Sequence, residues 1–420
     1  MKKTAFFIIA AALFMLVLTS CDGGTFGLKF EITDGGAVVT EYLGDSLEVE
    51  VADEYDGVPV VGVKANAFKS EAITKITLPD TVTYLGESAF AECTALTDIS
   101  IGSGVTEIGA NCFAGCKALA SITLPESVAS IGSGAFRDCV SLTSVTLPEA
   151  VNSIGSTAFY GCASLTSVTL PSGVTELPES CFRGCGKLTS VTLKGSVTSI
   201  GAFAFSGCKA LESFDIPASV TSIGESAFSN CEALTSVKVP DGVKELMPQT
   251  FYQCKSMTSC ALPSTLTSIG NETFAHCKKL EALVLPSALT SLGESAFVDC
   301  EALKSMTIPE SLTSIPKAAF NDCDGLEEIL MHDKIEYIGI NAFSNCKSLK
   351  SVEIPVLLTE VPIGCFSGCS ALTSVTIHET VVKIPDSAFS NSKSFVVKTE
   401  AGSYAEMWAK DIGKGVEIIK

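Results

Sequence analysis

Phenylalanine recurs every 23 residues over most of this 420-residue chain, and this recurrence constrains the fold more than any other feature. A unit of 23 residues is too short to bury a hydrophobic core alone, so each unit must pack against its neighbours. The sequence therefore predicts one continuous stack and not several domains. Fourteen phenylalanines keep the spacing without insertion or deletion: Phe90, Phe113, Phe136, Phe159, Phe182, Phe205, Phe228, Phe251, Phe274, Phe297, Phe320, Phe343, Phe366 and Phe389.

Residues 142–164 show what each repeat contributes. Val145 and Leu147 alternate with polar neighbours, which is the period-two pattern of a strand with one buried face. Pro148 ends this strand because proline cannot donate a hydrogen bond to a neighbouring strand. Stacked units place equivalent residues about 4.8 Å apart, so about fourteen such strands predict a parallel sheet about 65 Å long.

The second half of the repeat returns the chain to the start of the next unit. Residues 151–154 are expected to form a second short extended piece, and Gly155 permits a sharp bend after it. Residues 156–161 are expected to make one helical turn that directs Ala158 and Phe159 inward. Each unit is therefore predicted to be strand, turn, short strand and short helical turn.

The motif L-x-x-V-T-L-P-x-x-V-x-x-I-G-x-x-A-F-x-x-C resembles the BspA-like class of leucine-rich repeats, 23-residue units known from surface proteins of host-associated bacteria. It covers residues 62–393, which makes about 14 units. The resemblance implies a right-handed, β-rich leucine-rich-repeat solenoid with short helical turns. Its long parallel sheet is expected on the concave face.

Both ends of such a solenoid need a cap, because a bare sheet edge invites pairing with another chain. Residues 21–61 contain a linker and alternating stretches that resemble the N-terminal β cap of the family. Residues 394–420 contain a strand-like run and then a predicted short helix, on which Tyr404 and Trp408 share one face. We expect Trp408 to pack within this C-terminal cap.

The first 20 residues have the pattern of an export signal. Two lysines precede an apolar run over residues 5–18 that is too short for a comfortable membrane span. The sequence Leu-Thr-Ser-Cys at residues 18–21 resembles the bacterial lipobox, so we expect a lipoprotein signal peptide over 1–20 and lipidation of Cys21. An ordinary signal peptide with an incidental cysteine is the alternative. The protein is expected to be exported and lipid-anchored to the bacterial envelope, at the outer membrane or cell surface.

The net charge narrows the range of partners. The full chain carries a formal charge of -19, and losing Lys2 and Lys3 with the signal peptide moves it to -21. Such acidity favours solubility and argues against nucleic acid as a partner. Contact with a membrane is expected only through the lipid anchor.

The cysteines follow the repeat and not a disulfide framework. We expect them to be buried free thiols, because a row of thirteen stacked cysteines cannot all pair and its neighbours are core residues. Occasional disulfides between units, or a metal at a pair such as Cys112 and Cys116, are the alternatives. Thirteen of the 18 cysteines lie three residues after the phenylalanine: Cys93, Cys116, Cys139, Cys162, Cys185, Cys208, Cys231, Cys254, Cys277, Cys300, Cys323, Cys346 and Cys369.

No arrangement for catalysis emerges from the sequence. The three histidines, His276, His332 and His378, occupy different repeat positions, so no nucleophile and base pair or zinc motif can be assembled from them. No phosphate-binding glycine loop is present either. We therefore expect no enzyme, no catalytic or metal site and no cofactor.

The outward positions of the strands form the candidate binding surface. Hydroxyl side chains at these positions make a polar, uncharged face, although serine and threonine also suit a closely spaced pleated sheet on structural grounds alone. Four apolar residues interrupt the polar face. They could form a contact site, or they could reflect sequence drift in individual repeats without function. The candidates are Ser144, Thr146, Ser167, Thr169, Ser190 and Thr192 for the hydroxyl face, and Ala261, Ala282, Val284 and Leu330 for the apolar residues.

The family resemblance implies a non-enzymatic binding protein that adheres to a protein of a host or a neighbouring cell. A glycan-binding module is an alternative, but the chain has only seven Tyr and one Trp for sugar platforms. A structural spacer in an envelope assembly is the other alternative. A monomer with a protein ligand is expected.

Overall fold

The computed structural model describes residues 24–419, so the predicted signal peptide and Cys21 lie outside the described residues. The chain forms a parallel β-solenoid of about 17 turns with little helix. This confirms the predicted fold class. Each turn of the solenoid, called a coil below, presents two short strands and a tight turn segment to its neighbours.

Where it forms, the first strand of a coil has the predicted alternation, with its central residue inward and the flanking residues outward, as in Ser144–Thr146. Equivalent strands pair in parallel and in register, for example Val145 beside Ile122. This first-strand ladder consists of Lys75–Thr77, Asp98–Ser100, Ser121–Thr123, Ser144–Thr146, Ser167–Leu170, Ser190–Leu193, Ser236–Lys238, Ser259–Ala261, Ser305–Thr307, Glu328–Leu330, Ser351–Glu353 and Ser374–Thr376.

From Tyr84–Leu85 to Tyr337–Ile338 the second strand is two residues long, and its inward residue is Leu or Ile. These strands also pair in parallel, as Ser130–Ile131 does with Ser153–Ile154. This second-strand ladder consists of Tyr84–Leu85, Glu107–Ile108, Ser130–Ile131, Ser153–Ile154, Glu176–Leu177, Ser199–Ile200, Ser222–Ile223, Glu245–Leu246, Ser268–Ile269, Ser291–Leu292, Ser314–Ile315 and Tyr337–Ile338.

The segment expected to be a helical turn is built differently. Only Asp386–Phe389 forms a 3-10 helix; in the other coils the segment is a series of turns with residues at positive φ, such as Thr157 at 58°. The reason lies in the backbone donors. Phe113 N–H donates to the carbonyl of Ala135 in the next coil, at 2.8 Å, whereas a helix would have turned these donors back on the same segment.

The corner glycine has a different role from the expected bend. A Cβ added at Gly155 would lie 2.3 Å from the backbone nitrogen of Ser133, so glycine is needed for close approach between coils. The Gly155 N–H also donates to the carbonyl of Ile131, at 2.8 Å. Proline at this corner has no N–H to donate and adds atoms to the contact.

The corner residue accompanies the breaks in the second-strand ladder, although proline does not always cause one: Glu360 still bridges Lys383 in the coil whose corner is Pro385. The ladder is interrupted between coils at four places, before Glu176–Leu177, Glu245–Leu246, Ser314–Ile315 and the extended segment at Glu360. The coil that follows each interruption carries Pro or Met at the corner, namely Pro178, Met247, Pro316 and Pro362. The second-strand ladder is therefore a series of short sheets. The first-strand sheet, predicted to run unbroken for about 65 Å, is divided as well, for example between Ser144–Thr146 and Ser167–Leu170.

The two ends are closed by strands that continue the ladders. At the N-terminus, Leu28–Thr33 pairs antiparallel with Gly36–Tyr42, which pairs in parallel with Val58–Val63. The strands Glu48–Glu50 and Glu54–Tyr55 complete this cap, and Glu48–Glu50 begins the first-strand ladder beside Lys75–Thr77.

At the C-terminus, the strands Val396–Thr399 and Gly415–Ile418 extend the first-strand ladder beyond Ser374–Thr376. Between them lies the helix Tyr404–Asp411, which begins where the Ser403 side chain accepts a hydrogen bond from the backbone N–H of Glu406. Trp408 is buried against Phe389, with ring centroids 5.6 Å apart, as the sequence predicts.

One hydrophobic core runs through the whole solenoid. Its spine is the phenylalanine column, in which neighbouring rings stack with centroids 5.4 Å apart, as for Phe113, Phe136 and Phe159. Each phenylalanine is sandwiched between its equivalents, so no single unit can keep its ring buried alone. No helix within residues 24–419 is long and apolar enough to cross a membrane.

Candidate binding surface

The hydroxyl face expected from the sequence lies on the outer side of the first-strand ladder. All six hydroxyl residues predicted for it are exposed and lie on paired strands, with Ser167 beside Ser190 and Thr169 beside Thr192. None of these six hydroxyl groups makes a hydrogen bond to another group within residues 24–419. Their donors and acceptors are therefore free for a ligand.

A neighbouring column of threonines, not distinguished by sequence reasoning, behaves in the opposite way. Thr143 Oγ1 donates to the carbonyl of Ala120 at 3.0 Å, and Thr166 Oγ1 donates to the carbonyl of Thr143 at 3.2 Å. Thr189 repeats the bond to Thr166 at 3.0 Å. These hydroxyls tie adjacent coils together, so the strand face contains a structural column and two columns that are open to ligands.

The four apolar candidates also lie on this face. Ala261 and Ala282 are exposed, the side chain of Val284 is 83% exposed, and that of Leu330 is 51% exposed. Leu330 pairs with Thr307, and the column of Thr146 contains Ala261, Val284, Thr307 and Leu330 in successive coils. We call Ala261, Ala282, Val284 and Leu330 the apolar island.

Two shallow depressions open beside the island. One has a volume of about 420 Å³ and is lined by Ala261, Ala282 and Val284 among others. The other has a volume of about 470 Å³ and extends from Ser213 to Ala261. Because Ala261 lines both, the two depressions form one continuous relief with Ala261, Ala282 and Val284, and Leu330 lies beyond Thr307 in the same column.

The depressions occur where the first-strand ladder fails. Residues 213–215 form no strand, and Ala282 makes only an isolated bridge to Ser259. In the first of these coils, Phe214 replaces the usual inward valine, and its ring packs 4.9 Å from that of Phe205 and 5.5 Å from that of Phe228. Phe205 and Phe228 still stack at 5.3 Å, so the larger Phe214 side chain packs beside the column, and no strand forms at residues 213–215.

Charged side chains border the relief. Asp215 and Lys238 line the depression on the N-terminal side. On the other side, Lys350 forms an ion pair with Glu327, and both line a third depression of about 430 Å³. An apolar centre with a charged border is the usual layout of a protein-binding patch.

The cysteines of residues 24–419 belong to the core and not to the candidate surface. All 17 cysteines within residues 24–419 are free and buried. Burial raises the pKa of the Cys93 thiol to about 11, so this thiol stays protonated and unreactive at neutral pH. No group of three His, Cys, Asp or Glu side chains in the described part of the chain is placed to hold a metal ion.

The histidines are held in three separate structural contacts. His276 Nδ1 lies 2.8 Å from Asp299 Oδ2, and Lys278 Nζ lies 3.2 Å from the same oxygen. Burial opposes ionisation of Asp299, but these hydrogen bonds prevail and lower its pKa. His332 Nε2 lies 2.9 Å from the carbonyl of Pro309, and His378 lies between Glu353 and Glu400, 3.2 Å from each.

This molecule is a leucine-rich-repeat solenoid. Its class is defined by the two parallel ladders, the stacked core and the caps at both ends. The model of the BspA type leucine rich repeat region matches it with six copies, over residues 62–188, 175–303 and 267–396. The chain therefore belongs to the BspA-type leucine-rich-repeat family. Comparison with curated proteins gives no match.

The chain is also similar to proteins of solved structure, and the first of them supports this assignment. A leucine-rich repeat protein from Bacteroides ovatus is 30% identical, with a TM-score of 0.70, and the match covers 94% of this chain and 99% of the other. A T. pallidum leucine rich repeat protein is 34% identical over 50% of this chain and 88% of its own, with a TM-score of 0.42. A leucine rich cell surface protein from Faecalibacterium prausnitzii is 27% identical over 91% and 95%, with a TM-score of 0.47.

Proposed function

We propose that this protein is a non-enzymatic binding protein that contacts a protein of a host or a neighbouring cell through its strand face. The observation that carries the proposal is the side chain of Val284, 83% exposed on a ladder whose outward positions are mostly polar. Burying such an apolar side chain against a partner removes it from water and is therefore favourable. The two depressions beside it can receive side chains of that partner.

The free hydroxyl columns add to the same surface. Ser144, Thr146 and their neighbours can donate and accept hydrogen bonds without breaking any bond within the solenoid. Because the ladder orders them before binding, little entropy is lost when a partner contacts them. We assign the island as the anchor and the hydroxyl columns as the polar periphery of one extended contact.

A glycan ligand is the less favoured candidate. Sugar sites usually use an exposed aromatic ring as a platform. Trp408 is buried in the C-terminal cap, and no exposed aromatic ring lines the two depressions beside the island. The spacer hypothesis needs no preferred face, whereas the relief around Val284 distinguishes one face from the rest.

The first experiment is a binding screen of the purified chain without residues 1–20 against extracellular matrix proteins and a glycan array. The partner found is then tested with the double variant Val284→Glu and Leu330→Glu, which we expect to weaken binding at least tenfold. The matched control is Ser153→Glu and Ser222→Glu, which places two charges on exposed second-strand positions outside the proposed contact, where other coils carry Glu107 and Glu176. Binding that survives the island variant and fails in the control would contradict the anchor assignment.

We further propose that the protein is anchored to the envelope through a lipid on Cys21, as the lipobox-like residues 18–21 suggest. Incorporation of radiolabelled palmitate in cells tests this proposal, with Cys21→Ala as the variant that should lose the label. Label retained in Cys21→Ala would exclude lipidation at this residue.

A further inference from the structure

A second apolar surface lies in the C-terminal coils, away from the first-strand ladder. The exposed fractions are 54% for Tyr337, 42% for Ile340, 53% for Leu357, 55% for Ile363 and 64% for Val382. We call these five residues the second-strand patch. Tyr337 lies on a second strand, and the other four lie in the segments that flank the second-strand positions of their coils.

The patch departs from the repeat at each of its positions. Ile340 and Ile363 occupy the position that follows the corner, where Ser133 and Ser156 stand in earlier coils. Leu357 occupies the position of Ser127 and Ser311, and Tyr337 that of Ser314. The five residues of the patch are all large and apolar, and they lie in three successive coils. Together they concentrate exposed apolar area at one place on the surface.

The patch surrounds a cleft whose origin is visible in the backbone. Pro362 has no N–H to donate to Ile338, and the second-strand ladder is interrupted between Tyr337–Ile338 and Glu360. The coils separate there and leave a depression of about 450 Å³, lined by Tyr337, Ile340, Leu357 and Ile363 among others. This volume lies within the usual range of about 300–1,000 Å³ for ligand-binding clefts.

An interruption alone does not create such a cleft surface. The interruption at Pro316 separates Ser291–Leu292 from Ser314–Ile315, and the outward residues there are serines. The cleft at Pro362 thus combines a backbone opening with an apolar lining. The interruption at Pro316 is an internal comparison, because the backbone ladder is interrupted there but the lining is not apolar.

The charges around the cleft indicate what would occupy it. Three charged residues line it, and Lys383 Nζ is bound by Glu360 Oε2 at 2.7 Å, which leaves Glu336 without a counter-charge. Exposed Asp386 follows Ile340 and Ile363 in the same column and ends the apolar run. Carboxylates therefore flank the apolar cleft at both ends, in a chain of net charge -19.

We propose that the second-strand patch is a separate docking site for a cationic amphipathic segment of a partner protein. Apolar side chains on one face of that segment would enter the cleft, and flanking Lys or Arg side chains would pair with Glu336 and Asp386. A second copy of this chain is disfavoured because it would bring the same carboxylates together. An anionic membrane surface is disfavoured for the same reason.

The test uses three labelled amphipathic peptides that share a leucine face and carry Lys, Gln or Glu on the polar face. Fluorescence anisotropy with the chain lacking residues 1–20 should show tightest binding of the Lys peptide. The double variant Leu357→Ser and Ile363→Ser should weaken that binding at least tenfold, and Glu336→Thr about threefold. Each new residue is one found at the equivalent position of other coils, so the solenoid should stay folded, which circular dichroism checks.

The matched control is Val284→Ser and Leu330→Ser, which removes the apolar island and should leave Lys-peptide binding unchanged. This control also separates the two surfaces, because failure of one proposal leaves the other intact. Equal binding of the Lys and Gln peptides would overturn the cationic requirement. Unchanged binding in Leu357→Ser with Ile363→Ser, or self-association that these substitutions abolish, would overturn the proposed site or its occupant.

Discussion

The thiol of Cys162 donates a hydrogen bond to the backbone carbonyl of Phe136, with 3.1 Å between Sγ and the oxygen. The same bond recurs in every coil with a ladder cysteine, for example from Cys185 to Phe159 at 3.2 Å. In the last coil Ser392 replaces the cysteine and its hydroxyl donates to Phe366 at 2.8 Å. The cysteine is thus a small apolar residue that also supplies a donor to the preceding coil.

We expect substitution at Cys162 to separate these two contributions. Cys162→Ala should lower the free energy of unfolding by about 1–2 kcal/mol, because it leaves a void and removes the donor. Cys162→Ser should cost less than about 1 kcal/mol, since its hydroxyl can make the bond seen at Ser392. Urea denaturation under reducing conditions measures both.

Cys260 provides the control for that experiment. It is buried in the first-strand ladder, and its thiol makes no hydrogen bond within the described residues. Cys260→Ser should therefore cost about 1–3 kcal/mol, because a buried hydroxyl would lack a partner. Equal effects of serine at the two positions would show that the bond to the phenylalanine carbonyl contributes nothing.

The thiols also predict how stability changes with pH. Burial raises the pKa of Cys93 from an ordinary value of 9.0 to about 11, and that of Cys369 to about 12. Between pH 9 and 11 the unfolded chain therefore binds fewer protons than the folded chain, so the free energy of unfolding falls as pH rises. Each thiol contributes about 1.4 kcal/mol per pH unit once its unfolded form is ionised.

Urea midpoints measured from pH 7 to pH 10.5 with a reductant should therefore fall steeply above pH 9. Below about pH 8 the thiols are protonated in both states, and their contribution should be constant. A midpoint that stays level up to pH 10.5 would contradict the burial of the thiol column.

The corner glycine gives a third prediction. Gly155→Ala should destabilise the solenoid by about 1–3 kcal/mol, because the new Cβ would lie 2.3 Å from the backbone nitrogen of Ser133. Gly186→Ala is the control, since a Cβ there meets no atom within 4 Å. Thermal unfolding of the two variants should differ in midpoint, and equal midpoints would refute the close-approach argument.

The turn segment gives a fourth prediction. Thr157 adopts a φ of 58°, a conformation that is costly for a β-branched residue, whereas Asn111 and Asn341 occupy the equivalent position at 52° and 57°. Thr157→Asn should therefore raise the free energy of unfolding by about 0.5–1 kcal/mol. Thr146→Asn, at an extended strand position, should give no increase. Denaturation midpoints that rise equally in both would remove the conformational explanation.

Much of the fold follows from the repeat alone. The alternation around Val145 predicts its strand, and the 23-residue spacing of Phe136 and Phe159 predicts their stacking, because equivalent residues in stacked units must coincide. The prediction of a helical turn over residues 156–161 was wrong. The sequence of one unit does not reveal that the backbone N–H groups of this segment donate to the next coil. The role of Gly155 was also misjudged, because a close approach between coils leaves no trace within one unit.

The candidate surface could be predicted only in part. Exposure of Val284 and Leu330 follows from their outward positions on a strand. The second-strand patch was missed, although comparing each residue with its equivalents, such as Leu357 with Ser311, would have revealed it. Whether a threonine is free, as Thr146 is, or tied to the next coil, as Thr143 is, depends on the distance to a neighbouring carbonyl.

The sequence by itself determined the stack, the inward residues and the column to which each outward residue belongs, because periodicity places equivalent residues above one another. Only the tertiary structure decided where neighbouring coils separate and how large an opening results. That outcome depends on contacts between neighbouring coils, such as the hydrogen bond from the Gly155 N–H to the carbonyl of Ile131, and on the packing of Phe214 against Phe205 and Phe228. The depressions beside Val284 and the cleft at Pro362 arise from those contacts.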